Sequence, residues 1–235
     1  MSHLLKKILI PACLLLLAAA SAQEKKIPQV LFLGDSIHKT IVQAAAKELG
    51  NHMNIQFPQN ILAEDSGTAL AKIDQLLGKS EWDIIYFNYG MGDLCYKDPA
   101  TREFRVMSKD AGGVHVSTPE QYEKQLDALV QRLKKTNAKL IWGQTTPMAN
   151  IHFFPNFEQN RFDANAEQAY NIIAARVMTT HKVPVIDLHS YVMAQFKPED
   201  KQPPYTQYAK EMEKRGHPLH TPLVQALQTA ASDIH

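Results

Sequence analysis

Short apolar runs alternate along the chain with stretches of helical spacing, each bounded by turn-forming residues. Val30 to Leu33 is an apolar run ending in Gly34, and from Ile41 to Leu49 apolar residues and alanines recur at helical spacing up to Gly50. This predicts strand, tight turn, helix. A second strand is expected around Met53 to Phe57. Asp65-Ser66 then offers a cap for a helix carrying Leu70, Ile73, Leu76 and Leu77 that stops at Gly78. Trp82 to Asn88, rich in aromatic and β-branched residues, reads as a buried strand running into the turn Tyr89-Gly90-Met91-Gly92-Asp93.

Residues 94–117 lack periodicity and contain Asp98-Pro99 and Gly112-Gly113, the marks of a long surface loop or insertion able to serve as a lid. Thr118-Pro119-Glu120-Gln121 starts a helix with a Thr cap, Pro at the first position and Gln at the third; its stripe is Leu126, Leu129, Val130 and Leu133, and it ends near Asn137. Lys139 to Trp142 is the next strand, and Thr145-Thr146-Pro147 opens a loop to about Arg161. A helix from about Ala164 to His181 and a strand at Val183 to Asp187 follow, with Pro184 near the strand's start. Shorter helical pieces, punctuated by Pro203-Pro204 and the His217 to Pro222 turn, lead to a last helix from about Pro222 to Ala231. Alternating strands and helices predict a three-layer α/β/α domain around a central parallel sheet with right-handed crossovers. One such domain is expected over residues 29–235, after a short extension at 23–28.

Residues 1–22 read as a cleaved signal peptide. Lys6 and Lys7 precede an apolar run from Ile8 to Ala20, and Ala20-Ser21-Ala22 supplies the small-x-small pattern for cleavage before Gln23. The run, about 13 residues, is short of the roughly 20 that span a bilayer, which argues against a membrane anchor. Cys13 lies before most of that run, whereas an acylated cysteine would follow it. Export to the periplasm or the extracellular space is therefore expected.

Composition adds limits. With 45% hydrophobic and 21% charged residues in 235, the chain is ordinary globular material, which excludes disordered, collagenous and disulfide-scaffold classes. Losing Lys6 and Lys7 with the leader, from 25 Lys+Arg against 24 Asp+Glu, leaves the mature chain at net −1 with histidines neutral. No Lys/Arg block exceeds a pair, so nothing recommends nucleic acid as a partner. The mature chain keeps one cysteine, Cys95, which in an oxidising compartment is expected to be buried rather than a nucleophile.

In an open α/β sheet, ligands bind beyond the carboxyl ends of the strands. Those ends carry Gly34-Asp35-Ser36, Asn88 to Asp93 and Gln144-Thr145-Thr146, with His217-Pro218-Leu219-His220 near the C-terminus. A serine in a tight strand-to-helix turn has backbone N–H groups at hand to stabilise an oxyanion, and a loop histidine far along the chain can serve as its base. Ser36 as a simple helix cap is the structural alternative.

Gly34-Asp35-Ser36 directly after the first strand, the Asn/Gly/Asp turn after the third and a late His followed by Thr-Pro and a helix resemble the SGNH, or GDSL-type, hydrolases. Trp82 to Leu94, Tyr122 to Leu126 and Lys139 to Trp142 with Thr145 to Pro147 resemble an exported bacterial branch of that family, so the likeness covers about residues 29–230. It implies an SGNH-hydrolase-like, flavodoxin-like fold with Ser36 attacking an ester carbonyl and His220 as its base. It further implies an oxyanion hole made of the Ser36 N–H, a Gly N–H and an Asn amide. No cofactor or metal is implied.

Three positions depart from the family pattern. Glu64 stands where a glycine precedes the Asp-Ser/Thr pair, although a small shift brings Gly67 into play. Gly92 stands where the asparagine belongs, with Asn88 as a substitute donor. His217 stands where an Asp precedes the catalytic His by three residues, leaving His220 to work in a dyad, to borrow an acid such as Asp187, or not to act as a base. Asp35 and Asp93 are expected to support their turns. His38 reads as a solvated helix residue, the pair His217/His220 as a poor metal site, and Phe153, Phe154, Phe157 and Phe162 as packing or as an apolar wall. The expected function is an exported serine esterase removing acyl groups, O-acetyl groups on carbohydrate among them. The alternative is an SGNH-fold protein that binds a carbohydrate or other small ligand without effective hydrolysis.

Overall fold

Residues 26–58, 60–101, 106–147, 161–163, 165–196 and 205–234 are described by the structure, a computed structural model. The signal segment, Phe153, Phe154, Phe157 and Pro203-Pro204 lie outside these residues.

The first unit is β1 (Gln29–Gly34) followed by α1 (Ser36–Leu49), which ends at Gly50 with a positive φ of 54°. After β2 (Asn54–Gln56) come α2 (Ser66–Ala71), α3 (Ile73–Leu77) and β3 (Ile84–Asn88). The single helix expected here is broken at Lys72, whose φ/ψ of −109°/10° leaves the helical region while its Nζ donates to the Leu62 carbonyl at 2.9 Å. β4 (Tyr96–Lys97) and β5 (Val114–His115) form an antiparallel ribbon within the expected loop, and two-residue strands leave no period to read. The Tyr96 and His115 rings pack 4.2 Å apart, and the Tyr96 hydroxyl donates to Asp163.

α4 (Pro119–Lys134) begins with the full Thr118/Gln121 capping box. β6 (Lys139–Gly143), α5 (Ala166–His181), β7 (Val185–Ile186), α6 (Leu188–Met193), α7 (Tyr205–Lys214) and α8 (Thr221–Ser232) complete the chain. β7 is shorter than the sequence pattern suggests. Pro184 has no N–H to give, and its carbonyl accepts from Trp142 at the start of the ladder.

The five long-range strands are parallel in the order β2-β1-β3-β6-β7. Period-two alternation divides their side chains between two cores. Leu31, Leu33, Ile85, Phe87 and Trp142 pack under α2 to α5, whereas Val30, Phe32, Ile84, Tyr86 and Ile141 pack under α1 and α6 to α8. Each large apolar side chain fully buried in these layers contributes about 1.5–3 kcal/mol. The order reverses beside β1, so the crevice beyond the ends of β1 and β3 is the fold's natural ligand position.

Candidate active site

Gly34 closes β1 where the strands leave no room: a Cβ there would lie 2.9 Å from the Asn88 carbonyl oxygen and 2.7 Å from the Phe32 ring. The next residue, Asp35, is buried and caps α1 by accepting the His38 N–H at 2.9 Å. Ser36 is thereby the first residue of a 14-residue helix, solvent-exposed, at the positive end of the helix dipole. It lines a cleft of about 260 Å³ with Lys39, Phe57, Pro58, Leu62, Glu64 and Tyr89.

The side chain that hydrogen-bonds Ser36 is Glu64, not a histidine. Its Oε2 accepts the Ser36 N–H at 3.0 Å. Residue 64, expected to bring a backbone N–H to an oxyanion hole, places its carboxylate on the neighbouring donor. Gly92 explains the approach, because a Cβ on it would fall 1.9 Å from the Glu64 carbonyl oxygen. The backbone of Glu64 fills the space into which a side chain at 92 would project.

Asn88 does not substitute for the missing amide. It is buried at the end of β3, and its Nδ2 donates to the Gly143 carbonyl at 2.8 Å, tying β3 to β6. Gly67 belongs to another contact, since a Cβ there would meet Gln125 Nε2 of α4 at 2.9 Å. Asp93 is fully buried; it accepts from the Ser66 N–H and from the Ser66 and Ser117 hydroxyls, and burial pushes its carboxyl up to about 7. Its role is to hold α2 and the start of α4 onto the β3 turn.

His220 is not brought to Ser36. Its Nε2 lies 2.9 Å from Glu48 Oε2, near the opposite end of α1. Ser36 and Glu48 are twelve residues apart on one helix, about 18 Å at 1.5 Å per residue. Even the full reach of the Glu48 side chain leaves the imidazole outside hydrogen-bond distance of Ser36. Asp187 does not support it, because its carboxylate caps α6 through the Ser190 N–H at 2.8 Å. His217 is exposed and ends α7: its N–H donates to the Met212 carbonyl beside Gly216 at φ 77°, a Schellman arrangement.

His38, expected in solvent, is buried instead. Its ring lies against Tyr86, with centroids 6.1 Å apart, and burial lowers its pKa to about 3. Positions two apart on a helix do not face each other, so it does not serve Ser36. Cys95 is buried on the Met91 carbonyl with its thiol pushed up to about 12. Phe162 packs against the core below α2 to α5. Among the described residues no three His, Cys, Asp or Glu side chains gather as a metal site. The Glu64 carboxylate is the site's unforeseen participant: Glu64 stands at the family's glycine position, where a backbone N–H alone was expected.

Solved structures share this architecture. A Bacteroides fragilis protein described as an acylhydrolase superposes with a TM-score of 0.54 at 16% identity, covering 90% of this chain and 92% of its own. A GDSL-like lipase from Bacteroides thetaiotaomicron gives 0.54 at 16%, covering 88% and 89%, and an acetyl xylan esterase gives 0.51 at 17%, covering 74% and 85%. The chain has the SGNH/GDSL hydrolase fold. No protein-family model and no curated protein sequence matches it. Within the SGNH fold, Ser36 occupies the strand-to-helix turn after β1, while the described base and amide positions are committed elsewhere.

Proposed function

We propose that the protein is an exported serine esterase of low intrinsic rate, taking small acyl esters at Ser36, with carbohydrate O-acetyl esters the first class to test. The observation that carries this reading is the exposed Ser36 at the first position of α1, in a cleft at the reversal of strand order. The printed activities of its structural neighbours, acylhydrolase, lipase and acetyl xylan esterase, support the same class. In the reaction, Ser36 Oγ bonds to the carbonyl carbon and the bond to the alcohol oxygen breaks. The serine proton leaves with the alcohol. Water then cleaves the acyl-serine and releases the carboxylic acid.

The rate follows from what surrounds the hydroxyl. A serine hydrolase stripped of triad members keeps only about 10³- to 10⁴-fold acceleration over water, and here the oxyanion donor is occupied as well. A second reading, ligand binding without turnover, is favoured by the Glu64 contact and by the engagement of His220 with Glu48.

The test is hydrolysis of an aryl acetate and labelling by a fluorophosphonate, using the mature protein and Ser36→Ala. Turnover and label that disappear in the variant support the esterase. Folded protein no faster than Ser36→Ala and unlabelled favours the binding reading. Export rests on residues 1–22 and predicts Gln23 as the first residue of the secreted chain.

A further inference from the structure

We infer that Glu64 is an internal gate on the oxyanion position of the Ser36 cleft, a carboxylate supplied by the chain that excludes external anions and the charge of an acyl-transfer transition state. The inference rests on the reading of that cleft as an ester site.

Two independent observations meet at this residue. The Ser36 N–H, at the positive end of α1, is spent on Glu64 Oε2 at 3.0 Å. The Glu64 backbone is also driven into close contact with Gly92, where any side chain would collide at 1.9 Å. Fixed neighbours hold the segment in place. Lys72 Nζ grips the Leu62 carbonyl at 2.9 Å, Asp65 caps α2 through the Thr68 N–H at 2.8 Å, and the Ser66 N–H is held by buried Asp93 at 3.0 Å. A chain pinned on both sides of Glu64 keeps its backbone within side-chain reach of Ser36, and the Ser36 N–H then holds the carboxylate.

One N–H cannot serve two anions, and a carboxylate beside a forming oxyanion opposes it by like charge as well as by occupancy. The loss of one such donor costs about 10²- to 10³-fold in known hydrolases. Glu64 is therefore a specificity residue: it disfavours ligands that bring a carboxylate or a tetrahedral anion to Ser36 until its side chain swings out.

The test uses butyrate, which carries the carboxylate of an ester-hydrolysis product and needs no turnover. Isotope-labelled mature protein, Glu64→Gly and Glu64→Gln are titrated with butyrate while the Ser36 amide resonance is followed. The expected result is a saturable shift of that resonance in Glu64→Gly with at least tenfold tighter binding than in the parent protein. Glu64→Gln should fall between them, because its carboxamide oxygen can still accept but bears no charge. Equal binding by parent and Glu64→Gly overturns the inference. So does an unmoved Ser36 resonance in Glu64→Gly whose spectrum is otherwise that of the folded protein. Absence of aryl acetate hydrolysis in every variant defeats the esterase reading alone, since butyrate binding is measured without it.

Discussion

A Cβ on Gly92 would sit 1.9 Å from the carbonyl oxygen of Glu64. The two departures from the hydrolase pattern therefore meet in space, the backbone of Glu64 filling the room into which a side chain at 92 would project. Gly92→Asn is expected to destabilise by about 1–3 kcal/mol, the usual range for overpacking, and to leave Ser36 no more reactive. Urea unfolding checks the first part and fluorophosphonate labelling the second. An undiminished midpoint would mean that the Glu64 segment yields freely.

His220→Ala separates position from motif. With its imidazole on Glu48, the substitution should change any Ser36-dependent rate less than twofold and cost about 0.2–1 kcal/mol, as for other partly exposed ion pairs. A loss of a hundredfold or more in hydrolysis would show that His220 reaches Ser36 during turnover.

Asp93 makes stability fall as pH rises. Its folded pKa, about 7, lies above the ordinary 3.8, so the folded protein holds an extra proton between these values. That contribution is fully present below about pH 4 and is lost through pH 7, at no more than about 1.4 kcal/mol per pH unit. Chemical denaturation from pH 4 to 8 should show this slope in the difference between the parent and Asp93→Asn, levelling above pH 7. A flat difference would contradict it.

His38 acts with the opposite sign. Its folded pKa of about 3 lies below the ordinary 6.5, so the unfolded chain binds the extra proton and stability is lost as pH falls from 6.5 toward 3. Chemical denaturation should show the difference in stability between the parent and His38→Leu falling as pH drops from 6.5 toward 3; a flat difference would contradict it. Between pH 4 and 6.5 the Asp93 and His38 slopes oppose one another in the parent, so each is read from the difference between the parent and its own variant.

Local marks carried most of the architecture. Asp35, Asp65 and Thr118 cap the helices expected after them, and the unbroken apolar run Val30 to Leu33 corresponds to a strand buried on both faces. Ser36 was legible for the same reason, since strand, glycine turn and cap are adjacent in sequence. His220 was not. Its location depends on Leu219, Leu223 and Leu227 sinking into the core beside α1, a long-range packing choice that no neighbouring residue announces. The position of the Glu64 backbone is equally remote, set by contact with Gly92 and by anchors at Lys72 and Asp93, and its side chain then finds the Ser36 N–H. The β4/β5 ribbon escaped because four residues carry no detectable period.

Among the described residues the sheet terminates on β2 and β7, of three and two residues. Edges this short, one introduced by a proline, offer few free N–H and C=O groups to a second chain. Of the segments best suited to ordered aggregation, Ile84 to Phe87 is paired on both sides along its length, and Val30 to Leu33 is paired throughout with β3 and through Val30 and Leu31 with β2. Fibril formation by this protein should accordingly track the population of unfolded chains and not the concentration of native ones.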